Sequence, residues 1–331
     1  MHEVNLAIVG ATGMVGRTFL KVLEERNFPI KNLYLFSSEK SAGKILIFRG
    51  QEYKVEALTE DSFNRDIDIA LFSAGGDVSK KFAPIARDNG VIVVDNSSAW
   101  RMEKDIPLVV PEVNPKDIDW NNGIIANPNC STIQSVVPLV KLHKELKIKR
   151  IVYSTYQAVS GSGVGGIKDL ENGINGEENK KYPHQIAYNC LPHIDEFLDN
   201  GYTKEEMKMI NETKKILNDE DIRITATTVR VPVKYGHSVC INLEFENTFE
   251  MDQIYKLLQE TEGVNIIDDV KNNVYPMPID IEGKDEVYVG RIRRDYSVEN
   301  GINMWVVADN IRKGAATNAV QIAELLIKKL K

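Results

Sequence analysis

The sequence predicts an α/β protein: a mostly parallel sheet domain flanked by helices, then a second α+β domain with a largely antiparallel or mixed sheet. Three observations carry this. An apolar run, Val4-Asn-Leu-Ala-Ile-Val9, passes straight through a glycine-rich turn into a segment of helical periodicity. Apolar runs of strand length then alternate with helical ones as far as Ile124-Ile125, the pattern of parallel βαβ units. Past residue 150 the texture changes to β-prone, alternating stretches such as Arg223-Ile-Thr-Ala-Thr-Thr-Val-Arg-Val231. A length of 331 residues suits two domains. The expected division is 1–129 plus 311–331 for the first and 130–310 for the second. The last helical face (Ala319, Val320, Ala323, Leu326, Ile327, Leu330) follows the strand Ile302–Val307, so that helix is expected to return to the first domain.

Composition narrows the function classes. Hydrophobic content of 43% and charged content of 27% are those of an ordinary globular protein. A net charge of −7, with no basic run interleaved with aromatics, argues against nucleic-acid binding. No stretch reaches the length of a membrane span. The N-terminus enters an apolar strand within three residues, which leaves no room for a secretion signal. Cys130, Cys190 and Cys240 are too few and too far apart for a disulfide framework. A cytoplasmic location is therefore expected. His184 and His193 have no acidic or thiol neighbour at ligand spacing, so no metal is expected.

In chain order, Gly10-Ala-Thr12-Gly13-Met14-Val15-Gly16 lies between the first strand and a helix with the apolar face Val15, Phe19, Val22, Leu23. Glycines there let the backbone approach a pyrophosphate, and the helix N-terminus complements its charge. The spacing G-x-x-G-x-x-G is a variant of the Rossmann-like fingerprint, with a glycine turn in another α/β protein as the alternative. The next strand, Leu33–Phe36, ends in Ser37-Ser38-Glu39-Lys40-Ser41. Hydroxyls and a lysine suit a ribose 2′-phosphate and favour NADP, Glu39 leaves dual use open, and an exposed polar loop has the same composition. Ile67–Phe72 ends in Ser73-Ala-Gly75-Gly76, and Val91–Val94 ends in Asp95-Asn-Ser-Ser98. Such polar strand ends are where ligands sit in open α/β sheets. Arg101 follows, able to face an anion or to lie on the surface.

Asn127-Pro-Asn129-Cys130 leads into an apolar pattern at helical spacing, Ile133, Val136, Val137, Val140, with Pro138 expected to kink it. A thiol at a loop-to-helix junction meets unpaired backbone N–H groups that favour thiolate. A lone cysteine is also commonly a small buried hydrophobe. Arg150–Gln157 alternates as a strand, then Ser160-Gly161-Ser-Gly163-Val-Gly-Gly166 reads as a mobile loop or a close approach to ligand. Residues 168–200 read as irregular with two helical pieces. Glu205–Leu217 reads as a helix with Glu212 and Lys215 on one face. The Gly236-His237 turn is expected to leave the imidazole exposed and titratable near neutrality.

These stretches, with Ser154-Thr-Tyr-Gln-Ala-Val-Ser-Gly161, Asp95–Arg101, Arg230 with His237, and Asn310-Ile-Arg-Lys-Gly-Ala-Ala316, together resemble the bacterial NADP-dependent type of aspartate-semialdehyde dehydrogenase nearly end to end. Lys40 departs from the arginine usual in that family's ribose-phosphate loop. The resemblance implies reduction of L-aspartyl 4-phosphate by NADPH to L-aspartate 4-semialdehyde and phosphate, in the biosynthesis of lysine and diaminopimelate, threonine, methionine and isoleucine. It implies that Cys130 forms a thioester, that His237 is a general acid/base and that Gln157 positions the substrate. Arg101 and Lys215 would bind phosphate, Glu212 and Arg230 the amino and carboxylate groups, with Asn129 also at the substrate. For the cofactor it implies Gly10, Thr12, Gly13, Met14 and Val15, then Ser38, Lys40 and Ser41, then Ser73 and Gly75, and finally Ser160, Gly161 and Asn310. It further implies a homodimer or a dimer of dimers. The alternatives are an N-acetyl-gamma-glutamyl-phosphate reductase, whose substrate offers Glu212 no free ammonium, and a catalytically silent NADP-binding relative.

Overall fold

The computed structural model describes residues 3–329; Leu330, counted above in the last apolar face, lies outside them. The chain forms two compact units, Met1–Asn129 with Ala315–Lys331, and Cys130–Gly314. In the first, β1 (Val4–Val9), α1 (Met14–Glu25), β2 (Ile30–Ser37), the hairpin β3 (Ile45–Phe48) and β4 (Gln51–Lys54), β5 (Glu56–Ala57), β6 (Ile69–Phe72), α2 (Gly76–Asp88), β7 (Ile92–Asp95) and β8 (Ile124–Ala126) follow in order. The main sheet runs β5-β2-β1-β6-β7-β8, with every pair parallel. Its central strands are buried on both faces, as the apolar run in β1, interrupted by Asn5 alone, requires. Phe19, Leu23, Leu35, Leu71 and Val94 share one apolar core with Ala319, Val320 and Leu326 of the C-terminal helix Thr317–Ile327.

The second unit contains α3 (Cys130–Val136), α4 (Leu139–Leu146), β9 (Ile148–Gln157), α5 (Gly163–Ile174), α6 (Lys204–Leu217), β10 (Arg223–Arg230), β11 (His237–Phe245), α7 (Met251–Gln259), β12 (Val264–Ile266), α8 (Pro278–Ile281), β13 (Val287–Asp295) and β14 (Gly301–Ala308). Its sheet runs β10-β9-β11-β14-β13-β12 and is mixed. β9 pairs parallel with β10 but antiparallel with β11, which in turn is antiparallel to β14. Alternation puts Val239, Ile241, Leu243 and Phe245 on a buried face, against which α3 packs. Among the described residues no helix is long and apolar enough to cross a membrane.

Three local expectations are corrected. Pro138 does more than kink the helix after Cys130: it separates α3 from α4, since it has no N–H for the helical ladder. The glycine-rich stretch after Ser160 is not a loop throughout; it forms a 3-10 turn, Val159–Ser162, and the start of α5. Gly163 at φ +73° makes the break between the two, and a Cβ on Gly166 would lie 2.4 Å from the Val159 carbonyl oxygen. Between 168 and 200 the only helical segment is the rest of α5, because the following residues are ordered by side-chain to backbone bonds. Asp169, for instance, accepts from the N–H groups of Lys180, Lys181 and Tyr182 at 2.9, 2.7 and 2.8 Å. Burial alone would raise that carboxyl, but the three donors outweigh it and hold it below its ordinary value.

Candidate active site

In the second unit, topology gathers the candidate catalytic side chains. β9 and β10 are parallel and end together, so their register sets Gln157 beside Arg230. β11 runs the other way and begins at that edge with His237, opposite Ala308 at the end of β14. Gln157 thus emerges at the same end of the sheet as Arg230 and His237, which lie more than seventy residues further along the chain.

His237 is fully buried, and this corrects the expectation of an exposed imidazole. The residue opens a strand bonded on both sides and lies under the Ala158–Gly161 segment. The Ala158 N–H donates to its Nδ1 at 3.0 Å, and Arg230 Nη1 donates to the Ala158 carbonyl at 2.7 Å. One peptide residue therefore orients both side chains. Burial pushes the imidazole well below its ordinary value, and the Arg230 guanidinium adds to the shift. His237 Nε2 and Arg230 Nε are buried with no hydrogen-bond partner. A Cβ on Gly161 would lie 2.9 Å from Arg230 Nη1 and 3.2 Å from His237 Nε2, so glycine keeps this edge open.

Cys130 is the first residue of α3 and is partly exposed. Gln134, one turn on, donates through Nε2 to the His237 carbonyl at 3.1 Å and ties the Cys130 helix to the histidine strand. A Cβ on Gly314 would meet Cys130 Cβ at 2.8 Å, so Gly314 is where the chain passes closest behind the cysteine. Gln157 is buried, and its Nε2 donates to Thr155 Oγ1 and Glu205 Oε1, both at 3.3 Å. Glu205, itself buried on α6, also pairs with Lys208 at 3.2 Å. Glu212 is buried on the same helix, and Lys215 lies in its last turn. Asn310 accepts from the Gly236 N–H at 3.0 Å and donates to Ser160 Oγ at 3.0 Å, bracing the turn that leads into His237.

Sequence reasoning did not find Ala158, Gln134, Glu205, Tyr182 or Gly314. Ala158 acts through its backbone, which leaves no trace in residue type. Gln134 alone carried a signal: a long polar side chain four positions after Cys130, on a helix whose other side chains are small or apolar.

In the first unit the glycine turn is drawn tight. Gly10 has φ +87°, and a Cβ there would fall 2.2 Å from the Ser73 carbonyl oxygen. A Cβ on Gly16 would strike the Gly10 carbonyl oxygen, also at 2.2 Å, so this third glycine serves close packing of helix on turn. Gly13 caps α1, whose first residues are Met14 and Val15. Thr12 Oγ1 and Ser37 Oγ are 2.8 Å apart, joining the glycine turn to the tip of β2. Beyond that tip, Ser38 and Lys40 are exposed and Ser41 half-buried in a 3-10 turn. Gly75, at φ +89°, caps α2 just after Ser73, with nothing within 4 Å of a would-be Cβ. That is room a cofactor can use at the carboxyl ends of β1 and β6. Arg101 is buried, its Nε and Nη2 donating to the carbonyls of Asn127 at 3.0 Å and Asn96 at 2.8 Å. Asn129 is also buried. Among the described residues no group of three or more His, Cys, Asp or Glu is placed to hold a metal ion.

Comparison with known proteins agrees with this architecture. Residues 5–121 match the family model described as semialdehyde dehydrogenase, NAD binding domain, and residues 139–313 match semialdehyde dehydrogenase, dimerisation domain. The chain is 59% identical to the aspartate-semialdehyde dehydrogenase of Aquifex aeolicus, covering 98% of each chain. It is similar to the crystal structure of aspartate semialdehyde dehydrogenase II complexed with ASA from Vibrio cholerae, at 50% identity and a TM-score of 0.95, over 99% of each chain. It is also similar to the aspartate semialdehyde dehydrogenase with NADP from Candida albicans, at 27% identity and a TM-score of 0.79, over 98% of each chain. With both units matched and a relative this similar over its whole length, the chain belongs to the semialdehyde dehydrogenase family of oxidoreductases, among the aspartate-semialdehyde dehydrogenases.

Proposed function

We propose that this chain catalyses the NADPH-dependent conversion of L-aspartyl 4-phosphate to L-aspartate 4-semialdehyde and phosphate through a thioester on Cys130. The observation that carries the reading is the edge where Gln157, Arg230 and His237 emerge together, with the Cys130 helix bonded to the His237 carbonyl through Gln134. Cys130 opens a helix, where backbone N–H groups favour the thiolate. The thiolate attacks the acyl phosphate, and sulfur suits this task because it is a strong nucleophile near neutrality and later a good leaving group. Arg230, with an unpartnered buried Nε, is assigned to the substrate's carboxylate, and buried Glu212 to its ammonium. Arg101 and Lys215 are assigned to the phosphate, Asn129 and Gln157 to the orientation of the acyl group.

A reduced nicotinamide would supply hydride to the thioester. Residues Gly10 and Thr12 to Val15, with Ser73 and Gly75, fit a dinucleotide, since the turn is compact and Gly75 leaves space beside it. Ser38, Lys40 and Ser41 would meet the ribose 2′-phosphate, which favours NADP, and Ser160, Gly161 and Asn310 complete the cofactor assignment. The bound NADP of the Candida albicans relative supports this choice. A homodimer is supported by the matched dimerisation domain and by the second face of the mixed sheet, where exposed Tyr156 packs on Trp305 at 5.3 Å. The product would enter synthesis of lysine, threonine, methionine and isoleucine in the cytoplasm. The test is to offer purified enzyme and NADPH either aspartyl phosphate or N-acetylglutamyl phosphate and follow loss of nicotinamide absorbance. Turnover with the first alone is expected; turnover with the second alone would replace this reading, and silence with both would mark a binding protein.

A further inference from the structure

We propose that Tyr182 is a positioning residue of the carboxylate site: its ring, set in place by Asp169, holds the Arg230 guanidinium in the plane that grips a substrate carboxylate. The inference rests on the assignment of Arg230 proposed above and adds a residue that acts through it. Arg230 Nη1 donates to the Ala158 carbonyl at 2.7 Å, while its Nε is buried with no hydrogen-bond partner. A bond at one nitrogen leaves a guanidinium free to swing about that bond. An arginine binds a carboxylate through two parallel N–H groups, which requires the fork to be fixed. The second restraint is Tyr182, whose ring has the Arg230 guanidinium carbon over it, 6.0 Å from the centroid. At that separation the attraction between cation and ring is slight, and what the ring supplies is a wall against one face of the fork.

Tyr182 is itself held at both ends. Its neighbours Lys180, Lys181, Pro183 and His184 are exposed, so within this stretch Tyr182 is the side chain that turns inward. The buried Asp169 carboxylate on α5 orders the stretch, accepting from the Tyr182 N–H at 2.8 Å and from the two lysine N–H groups before it. At the other end the phenol donates to the Val159 carbonyl at 3.4 Å and bonds the Ser162 side chain. Both belong to the 3-10 turn that follows Ala158, so ring and guanidinium are held against one short segment. A Cβ on Gly166 would fall 2.6 Å from the Tyr182 hydroxyl, so glycine admits the phenol there. Burial raises the phenol, opposed in part by the Arg230 charge, and the group stays neutral. No phenolate therefore competes with a substrate for the guanidinium.

This arrangement sets which kinetic constant the ring controls. The α-carboxylate of aspartyl phosphate is remote from the acyl carbon where bonds form and break, and its charge is the same before, during and after reaction. A grip on it is therefore equal in ground state and transition state, and loosening that grip raises KM while leaving kcat. A residue that only packs the domain has no reason to act on one constant of one substrate.

Two arms test this on the intact enzyme. Arginine-selective 15N labelling, with Arg230→Lys to identify the resonance, follows the Arg230 Nε–H without substrate. In Tyr182→Leu that proton should exchange with water at least about tenfold faster than in the parent. Equal exchange would overturn the proposal whether or not aspartyl phosphate is turned over. The kinetic arm reads KM and kcat separately. Tyr182→Leu should raise the KM for aspartyl phosphate about tenfold, with kcat and the KM for NADPH within about twofold of the parent. Asp169→Asn, which sets an amide donor among three backbone donors, should give the same split. The double variant should be no worse than either, because both changes act through one ring. Tyr182→Phe, which keeps the wall and loses only the hydroxyl, should recover most of the loss. An unchanged KM for aspartyl phosphate in Tyr182→Leu, or losses spread over kcat and both KM values, would overturn the proposal and leave Tyr182 a packing residue.

Discussion

The glycine turn after β1 and the sheet edge around His237 solve different problems in different ways. The turn is seven contiguous residues, and what matters in it is absence: no side chain at Gly10 or Gly16, so that backbone can lie against backbone at distances a Cβ would forbid. The edge in the second unit is built from presence, with Gln157, Arg230 and His237 delivered by three strands, the last two held by the Ala158 peptide and Gln157 by Thr155 and Glu205. A local site tolerates almost any surroundings if its own residues are right. A non-local one works only while strand register holds, because a slip of one residue would turn every side chain to the other face.

The largest expected effect lies at Cys130. Cys130→Ser should lower turnover by about 10⁴-fold or more while NADPH still binds, since nucleophile removal in comparable enzymes is that severe. Cofactor titration by fluorescence beside a turnover assay separates the two, and retained turnover would remove Cys130 as nucleophile. Next comes Arg230→Leu, which takes a buried cation from a carboxylate and should reduce kcat/KM by about 10²–10³-fold, mostly through KM. An unchanged KM would detach Arg230 from the substrate.

A matched pair of glycine changes sharpens the contrast. Gly10→Ala forces a Cβ into the Ser73 carbonyl at a positive φ, and should cost about 1–3 kcal/mol or more of stability. Gly161→Ala intrudes on Arg230 Nη1 and His237 Nε2, with no left-handed φ to strain, so it should leave thermal stability nearly intact and lower kcat/KM by about ten- to a hundredfold. The reverse outcome, an inactive but stable Gly10→Ala or an unstable Gly161→Ala, would erase the distinction. Smaller again is Lys40→Ala, where loss of an exposed cation should weaken NADPH by about tenfold and NADH hardly at all. Equal losses would take Lys40 away from the 2′-phosphate.

The smallest effect is a pH slope. Because His237 is depressed in the folded protein, the unfolded chain binds its proton first as pH falls. The stability from keeping it neutral is complete above the unfolded value of about 6.5 and is lost below it, at up to about 1.4 kcal/mol per pH unit. His143, lowered by half-burial, contributes with the same sign. Denaturant melts at pH 7 and pH 5 should therefore show a shallower acid loss in His237→Gln than in the parent, and identical slopes would contradict the burial of this ring.

What could be read from the chain follows the same division. β1, the glycine turn and α1 were legible because period, turn chemistry and helix signals lie within about twenty residues. The change from parallel to mixed sheet was visible as a shift from continuous to alternating apolar runs. His237 was misjudged as exposed because a Gly-His pair reads as a turn, whereas β11 starts at the histidine itself and pairs at once with β14. For the stretch 160–166, glycine content left open a mobile loop or a close approach to a ligand, and only the fold shows the closeness to be with the chain itself, since a Cβ on Gly166 would lie 2.4 Å from the Val159 carbonyl oxygen.

By itself the sequence determined the local pieces: which segments are strands or helices, where backbone must come close, and which side chains could do chemistry. Tertiary structure decided which of them meet and which are buried. Register between β9, β10 and β11 aligns Gln157, Arg230 and His237, and the Ala158 peptide holds the imidazole and the guanidinium side by side. Residue type encodes propensity over a few positions, but hydrogen-bond partners across a sheet depend on how distant strands are laid side by side.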